Sequence, residues 1–419
     1  MSKLKILWSG DCLAMTGFAR VTENLVSRLK DDYDITILAN NWWGDPPTPD
    51  QKEWYELFRE VTIYPSSNRF QTEPFGVQRI REFCERVKPD ILFINNDAWI
   101  VNHIYEQIKD LHAAQKFKVM AYIPMDSENW LSGLEILNKV DYVVSYTQFG
   151  AEEFLKAGCQ KPIGVIHHGI DPTAFYPLDK KECRKKLNID EDAFVVFNGN
   201  RNQGRKRQDV TIRAFAKFAK GKDDARLYLH CGLKDQGWDI IPLFNGAMLA
   251  EGNDPNGKLV LTSNSTQCPN VPVDLLRMIY ATADVGINTS KGEGWGLVNH
   301  EHAACQVAQV VSNNTSSKEI FDGYGRCIDI EHIDVDMNFG RQMPVPSADH
   351  LASILEELYE DRKLLATYAK RCYDRALEPQ FQWNTIALQF GQAFEEAAAA
   401  PWPEKEEPLP REEREPLPV

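Results

Sequence analysis

The chain has 419 residues, too many for one ordinary hydrophobic core, and two domains of about 150–200 residues each are the natural expectation. Apolar residues make up 43%, enough to fill large cores, yet no stretch approaches the ~20 uninterrupted apolar residues of a membrane span. With 47 basic against 61 acidic residues the formal charge is −14, a poor balance for non-specific nucleic-acid binding, which needs clustered Lys and Arg.

The amino terminus, "MSKLKILWSG", runs straight into a strand-like segment, without an apolar signal region or a small-residue cleavage site. The first half then alternates strand candidates, at residues 5–8, 34–39, 61–64, 91–95, 118–123, 142–146 and 164–166, with helical stretches such as "RVTENLVSRL" and "GVQRIREFCERV". Apolar runs separated by amphipathic helices predict a mostly parallel sheet covered on both faces. After "GIDPTAFYPLDKK" the pattern begins again, with strand candidates at 193–200, 225–231, 258–263, 285–290, 308–312 and 325–330. The Pro-containing joint near 170–180 divides the chain into domains 1–172 and 173–378, both α/β and doubly wound. Residues 379–400 form a last amphipathic helix that can cross the joint. The acidic Pro/Glu-rich tail 401–419 has little to bury and is expected to be disordered. The nine cysteines are never closer than about twenty positions, which argues against a zinc site, a redox pair or a disulfide framework. These features together predict a soluble cytoplasmic protein.

Two loops carry the main candidate chemistry. In "KGEGWGLVNHEHAACQVAQVV" (291–311), Glu293 precedes Gly294 and Gly296, which let a ligand approach backbone N–H groups. Leu297, Glu301, Ala304 and Ala308 share one face at helical spacing. A carboxylate on that inward stripe needs a partner, and a sugar or ribose diol is suitable. A helix-start glutamate and a surface-loop glutamate remain the plain alternatives. In "GNRNQGRKRQDVTIRAF", residues 201, 205, 206 and 207 are basic, directly after a strand. Arg offers a planar fork and Lys a compact charge to phosphate, and the helix starting near Arg207 adds amides. A solvated basic turn is the plain alternative.

The Glu-x7-Glu spacing with its inner Gly-x-Gly-Leu, following "TADVGINTS", is similar to the signature of the group 1 family of retaining nucleotide-sugar glycosyltransferases. "VVSYTQFGAEEF" with "VIHHGIDPTAFYP" resembles that family's interdomain passage, and "GNRNQGRKRQDVTIRAF" its donor-phosphate segment. The resemblance runs over roughly residues 4–375. It implies two Rossmann-like domains of the GT-B type facing a central cleft, the first for the acceptor and the second for the donor. Glu293 would then bind hydroxyls of the transferred sugar, Glu301 the nucleotide ribose, and Arg201 with Lys206 the diphosphate. Backbone donors at Gly294, Trp295, Gly296 and Leu297 would assist. Gly17, before the first helix, resembles one member of the family's glycine pair, but Phe18 leaves that pair incomplete.

Asp126, in "MAYIPMDSENW", stands where many relatives carry histidine, and either orients an acceptor hydroxyl or caps the next helix with Ser127. Trp42, Trp43 and Trp54 offer stacking surfaces near the cleft mouth or simple packing. His167 and His168 read as satisfied structural histidines, because no metal-ligand spacing accompanies them. The implied activity is metal-independent, retaining transfer from a nucleotide diphosphate sugar, on family grounds a UDP-sugar, to an unidentified hydroxyl. That donor is a co-substrate, and no cofactor is expected. Transfer to a hydroxymethylated DNA base, and nucleotide-sugar binding without turnover, are the rival readings.

Overall fold

The computed structural model describes residues 3–14, 16–45, 59–67, 73–130 and 132–402. Seven parallel strands form the first sheet, in the order β3-β2-β1-β4-β5-β6-β7. They are β1 (Lys5–Asp11), β2 (Asp34–Asn40), β3 (Thr62–Pro65), β4 (Ile91–Asn95), β5 (Lys118–Ile123), β6 (Tyr142–Ser145) and β7 (Ile163–Val165). Six more make the second sheet, in the order β10-β9-β8-β11-β12-β13. These are β8 (Phe194–Asn198), β9 (Ala225–Leu229), β10 (Leu259–Leu261), β11 (Val285–Asn288), β12 (Ala308–Ser312) and β13 (Arg326–Ile328). The fold is α/β with two Rossmann-like sheets, as the alternating pattern predicts.

The strands are apolar at successive positions because both faces are covered. In β1, Ile6 and Trp8 belong to one core cluster and Leu7 to the other. In β8, Phe194 and Val196 pack on one side, Val195 and Phe197 on the opposite side. Period-two alternation of direction with no polar face leaves helices on both sides as the stable solution. The first of these, Gly17–Leu29, is capped by Thr16, whose hydroxyl accepts from the Ala19 amide, and it buries Val21, Leu25, Val26 and Leu29.

Strand order reverses between β1 and β4 in the first sheet and between β8 and β11 in the second. Crevices form at such points, beyond the strand carboxyl ends. The loops after β4, β8 and β11 therefore carry the residues described below.

The last helix, Trp383–Ala399, returns to the first sheet. Phe390 and Phe394 place their rings 5.7 and 5.5 Å from that of Phe93, and Tyr33 donates to the Gly391 carbonyl at 3.1 Å. Truncating a ring so buried costs about 3–5 kcal/mol.

Two local expectations need correction. Ala308 does not continue the helical stripe of Glu301: the helix Leu297–Ala304 stops, and Ala308 opens β12. Gln306, at φ +60°, supplies the reversal between them. An antiparallel hairpin, β14 (Ile330–Val335) with β15 (Gln342–Pro346), also follows β13, where a simple α/β alternation has none. It reaches across to the first domain, where Glu128 and Gln342 exchange backbone hydrogen bonds at 2.9 and 2.8 Å.

Candidate functional site

Glu293 is buried in the loop between β11 and the helix Leu297–Ala304. Lys206 reaches both carboxylate oxygens at 2.6 Å, Asn288 donates to one at 3.2 Å, and Arg205 to the other at 3.4 Å. Burial is the largest influence on this carboxyl and pushes it up, but Lys206 and Arg205 together hold it below the usual carboxylate range. Lys206 is itself lowered, first by burial and then by Arg205, because two cations compete for one carboxylate.

Arg205 also faces the first domain. Its Nε lies 3.3 Å from Asp126, and its Nη1 donates to the Gly292 carbonyl. Arg341, one residue before β15, meets the other Asp126 oxygen at 3.3 Å. Asp97, two residues beyond β4, is raised to about 6, by burial first and the Asp126 charge second, with Arg205 and Arg341 opposing. Asp126 is thus a cleft carboxylate and caps no helix. The described residues after it reach the short 3-10 turn Glu135–Asn138 with no helix between.

Arg201 does not join this cluster. It forms a bidentate pair with Asp235, at 2.5 and 2.9 Å, and its side chain is about half exposed. Arg205, which sequence reasoning counted among the basic residues without assigning it a role, is the arginine that shares Glu293 with Lys206. Both project from the single 3-10 turn Gly204–Lys206, and Arg207 then reverses the chain at φ +51°. A turn of that tightness puts consecutive side chains near one another, which residue spacing alone does not reveal.

The glycines mark where the domains approach. A β-carbon on Gly294 would fall 2.6 Å from Pro124, just beyond β5, and one on Gly17 would meet Leu297 at 3.3 Å. Gly17 is itself the first helical residue. Gly296, at φ +94°, begins the helix without any side-chain cap, so the first-turn amides at Leu297 and Val298 have no intrahelical partner. The Trp295 side chain turns away from the cleft. Its indole packs 5.2 Å from His167 and 5.5 Å from Phe381, and its N–H points to His300 at 3.3 Å.

Glu301 is buried one turn into the helix. Tyr280 donates to it at 3.1 Å, and Arg20 from the first domain stands 3.9 Å away. Burial raises its carboxyl, while Arg20 and Tyr280 offset part of the rise. A cavity of about 80 Å³ lies beside it, lined by Arg20, Glu23, Asn24, Leu297 and Trp383 among others.

Of the aromatic candidates, Trp42 is packed against the first core, Trp43 is exposed, and Trp54 lies outside the described residues. His167 donates through Nδ1 to the Tyr146 carbonyl at 2.8 Å. His168 departs from the expectation of a satisfied histidine: it is buried among aromatic rings, and neither ring nitrogen has a protein partner. Among the described residues no helix is long and apolar enough to cross a membrane.

Comparison with known proteins adds independent findings. The family described as Glycosyl transferases group 1 matches residues 179–375, and Glycosyltransferase Family 4 matches residues 15–174. A D-inositol 3-phosphate glycosyltransferase of Segniliparus rotundus is 29% identical over 180 residues, 41% of this chain and 36% of that protein. One from Stackebrandtia nassauensis is 25% identical over 323 residues, 73% of this chain and 66% of that protein. These matches thus span about a third to two thirds of the relatives' lengths. Among solved structures, Anabaena Alr3699/HepE in complex with UDP and glucose superposes with a TM-score of 0.69 at 16% identity, covering 94% of this chain and 99% of that one. Sucrose-phosphate synthase from Thermosynechococcus elongatus gives 0.68 at 16% identity, with the same coverage. Both share the two-domain fold.

Proposed function

The chain belongs to the group 1 glycosyl transferases, and from that premise we propose that it transfers a sugar, with retention, from a nucleotide diphosphate donor to an acceptor hydroxyl. The observation that carries this reading is the meeting of Lys206, Arg205 and Glu293 beneath an uncapped helix start, opposite the carboxylates of the first domain. Cleaving a sugar–phosphate bond builds charge on the departing diphosphate. Two fixed cations and the first-turn amides are the groups that stabilise it as it develops.

Without ligand, Lys206 is neutralised by Glu293. A diphosphate arriving there draws the ammonium toward itself, and Glu293 then accepts hydrogen bonds from hydroxyls of the sugar. Arg201 joins the diphosphate on release from Asp235. In this reading the cations supply the positive charge, and the reaction proceeds without a metal ion. The leaving diphosphate itself, in this reading, guides the incoming hydroxyl on the same face. Glu301 takes the ribose. The cavity beside it, about 80 Å³, is well below the ~300–1,000 Å³ of ligand sites, so donor admission requires the domains to part. UDP is the favoured nucleotide, supported by the UDP complex of the structural neighbour.

A panel of UDP, GDP and ADP sugars, scored for thermal shift and for slow hydrolysis, tests the reading. Stabilisation and hydrolysis by one nucleotide class, both lost in Glu293→Gln, is the expected result. Donor binding with no hydrolysis and no transfer to any hydroxyl would identify a binding protein instead.

A further inference from the structure

Thr315 is a β-branched residue at φ +45°, in the left-handed region that such side chains avoid. It is buried at the first position of the helix Thr315–Phe321, which follows β12, and the sequence reading assigned it nothing. Backbone in so sparsely populated a region persists only where the surroundings hold it, and it gathers at functional sites. Here the surroundings are the Glu293 loop itself. The Glu293 amide donates to the Thr315 hydroxyl at 2.9 Å, and that hydroxyl in turn donates to the Asn314 side-chain oxygen at 3.3 Å. The Asn314 amide spans the carbonyls of Ser290, Lys291 and Pro344 at 3.1–3.3 Å. Ser316 donates to the carbonyls of Glu293 and Trp295 at 2.7 and 3.1 Å. The Thr315 methyl lies 3.3 Å from where a Gly292 β-carbon would stand.

We propose that Asn314, Thr315 and Ser316 form a clamp that sets the position of the Glu293 carboxylate, with Thr315 as its central positioning residue. The Thr315 hydroxyl commits its proton to Asn314 and its lone pair to the Glu293 amide, while Ser316 donates back to the loop carbonyls. Rotating Thr315 out of the left-handed region would break these bonds together. The loop carries Gly292, Gly294 and Gly296, which give it little stiffness of its own, and that is why its geometry has to be supplied from β12. The role at Glu293 rests on the glycosyl-transfer reading above; the clamp itself does not.

Thr315→Val keeps the shape and removes the hydroxyl, whereas Thr315→Ser keeps the hydroxyl. Two measurements decide: the kcat of donor hydrolysis with UDP-glucose beside the Kd for UDP, and hydrogen exchange of segment 290–296. Thr315→Val is expected to lower kcat about tenfold or more, to leave the UDP Kd within about twofold, and to speed exchange in the segment. Thr315→Ser is expected to recover both turnover and protection. Ser316→Ala, which breaks the neighbouring bonds, should act in the same direction and serves should Thr315→Val not fold. Unchanged exchange in Thr315→Val, or equal kcat for the Val and Ser variants, overturns the proposal. The exchange measurement needs no substrate, so it judges the clamp even where wild-type protein turns over no nucleotide sugar and the functional reading itself fails.

Discussion

Replacing Lys206 by Met removes a charge while keeping most of the side-chain stem. Taking one partner out of a buried ion pair costs about 3–5 kcal/mol. Glu293 keeps Asn288 at 3.2 Å and Arg205 at 3.4 Å, so a loss of about 2–3 kcal/mol is expected near neutral pH. In a domain of this size that lowers the thermal midpoint of the second domain by roughly 5–10 °C. The pH dependence carries the sharper test. In wild type Glu293 sits below its usual value, so the pair contributes stability that is present above the unfolded value and is lost as pH falls through the folded one. In Lys206→Met burial outweighs what remains, the carboxyl titrates above its usual value, and protonation relieves the uncompensated charge. The penalty should therefore shrink as pH is lowered from ~7.5 to ~5. Scanning calorimetry of both proteins over that range measures it, and adding Glu293→Gln to Lys206→Met should restore most of the lost midpoint without restoring turnover. A midpoint within ~1 °C of wild type, or a penalty that stays constant with pH, would refute the account of this pair.

Other consequences are open to simple measurement. His300 and His302 are pushed down to about 3 and His230 to about 4 by burial, and His168 is well below its usual value for the same reason. The unfolded chain takes up these protons below pH ~6.5 and the native one does not, so stability must fall on acidification, by about 1.4 kcal/mol per pH unit for each histidine. Asp97, titrating at about 6, returns roughly 1 kcal/mol at pH ~5.5. Thermal midpoints that stay level between pH ~7.5 and ~5.5 would contradict this. Arg201→Ala leaves Asp235, whose side chain is only 7% exposed, without its bidentate partner, and should lower the midpoint modestly while weakening UDP binding; equal UDP affinity would remove Arg201 from the donor site. A β-carbon on Gly292 would overlap the Asp126 carbonyl, so Gly292→Ala should hold the domains apart. Solution scattering should show a larger radius of gyration for it than for wild type, with turnover lost.

The strands were legible because a parallel sheet buried on both faces writes itself as apolar runs such as "KILWSGD" and "FVVFN", bounded by turn residues. The hairpin was not. Its outer residues Ile333, Val335 and Met337 are exposed, and Asp334 faces Lys291 at 3.0 Å, so neither strand shows the polar–apolar alternation of a half-buried sheet. Asp126 left two readings open, acceptor-orienting or cap, because Ser and Asp before a helix usually act as caps. What overrides that is Arg341, 215 positions away, which no local pattern announces.

The cations show the same limit from another side. A run of bases says which loop is positive, and the family spacing says which two members to expect on phosphate. Neither says which carboxylate each side chain pairs with. Asp235, 34 positions downstream, takes Arg201, while Glu293 and Asp126 take Lys206 and Arg205. Three cations, Lys206, Arg205 and Arg341, face three carboxylates in the cleft, Glu293, Asp126 and Asp97, so the charges there nearly balance. That arrangement keeps the cleft from carrying several unpaired buried charges, each of which would cost several kcal/mol. Under the proposed donor role it also sets a condition for binding: a diphosphate must offer Lys206 better geometry than Glu293 does at 2.6 Å. Glu293 would then keep Asn288 at 3.2 Å and Arg205 at 3.4 Å, with room for further donors such as the hydroxyls of a sugar attached to that same diphosphate. A bare diphosphate cannot supply them. In that reading the pair favours a nucleotide that still carries its sugar, through the carboxylate that the Thr315 clamp is proposed to position.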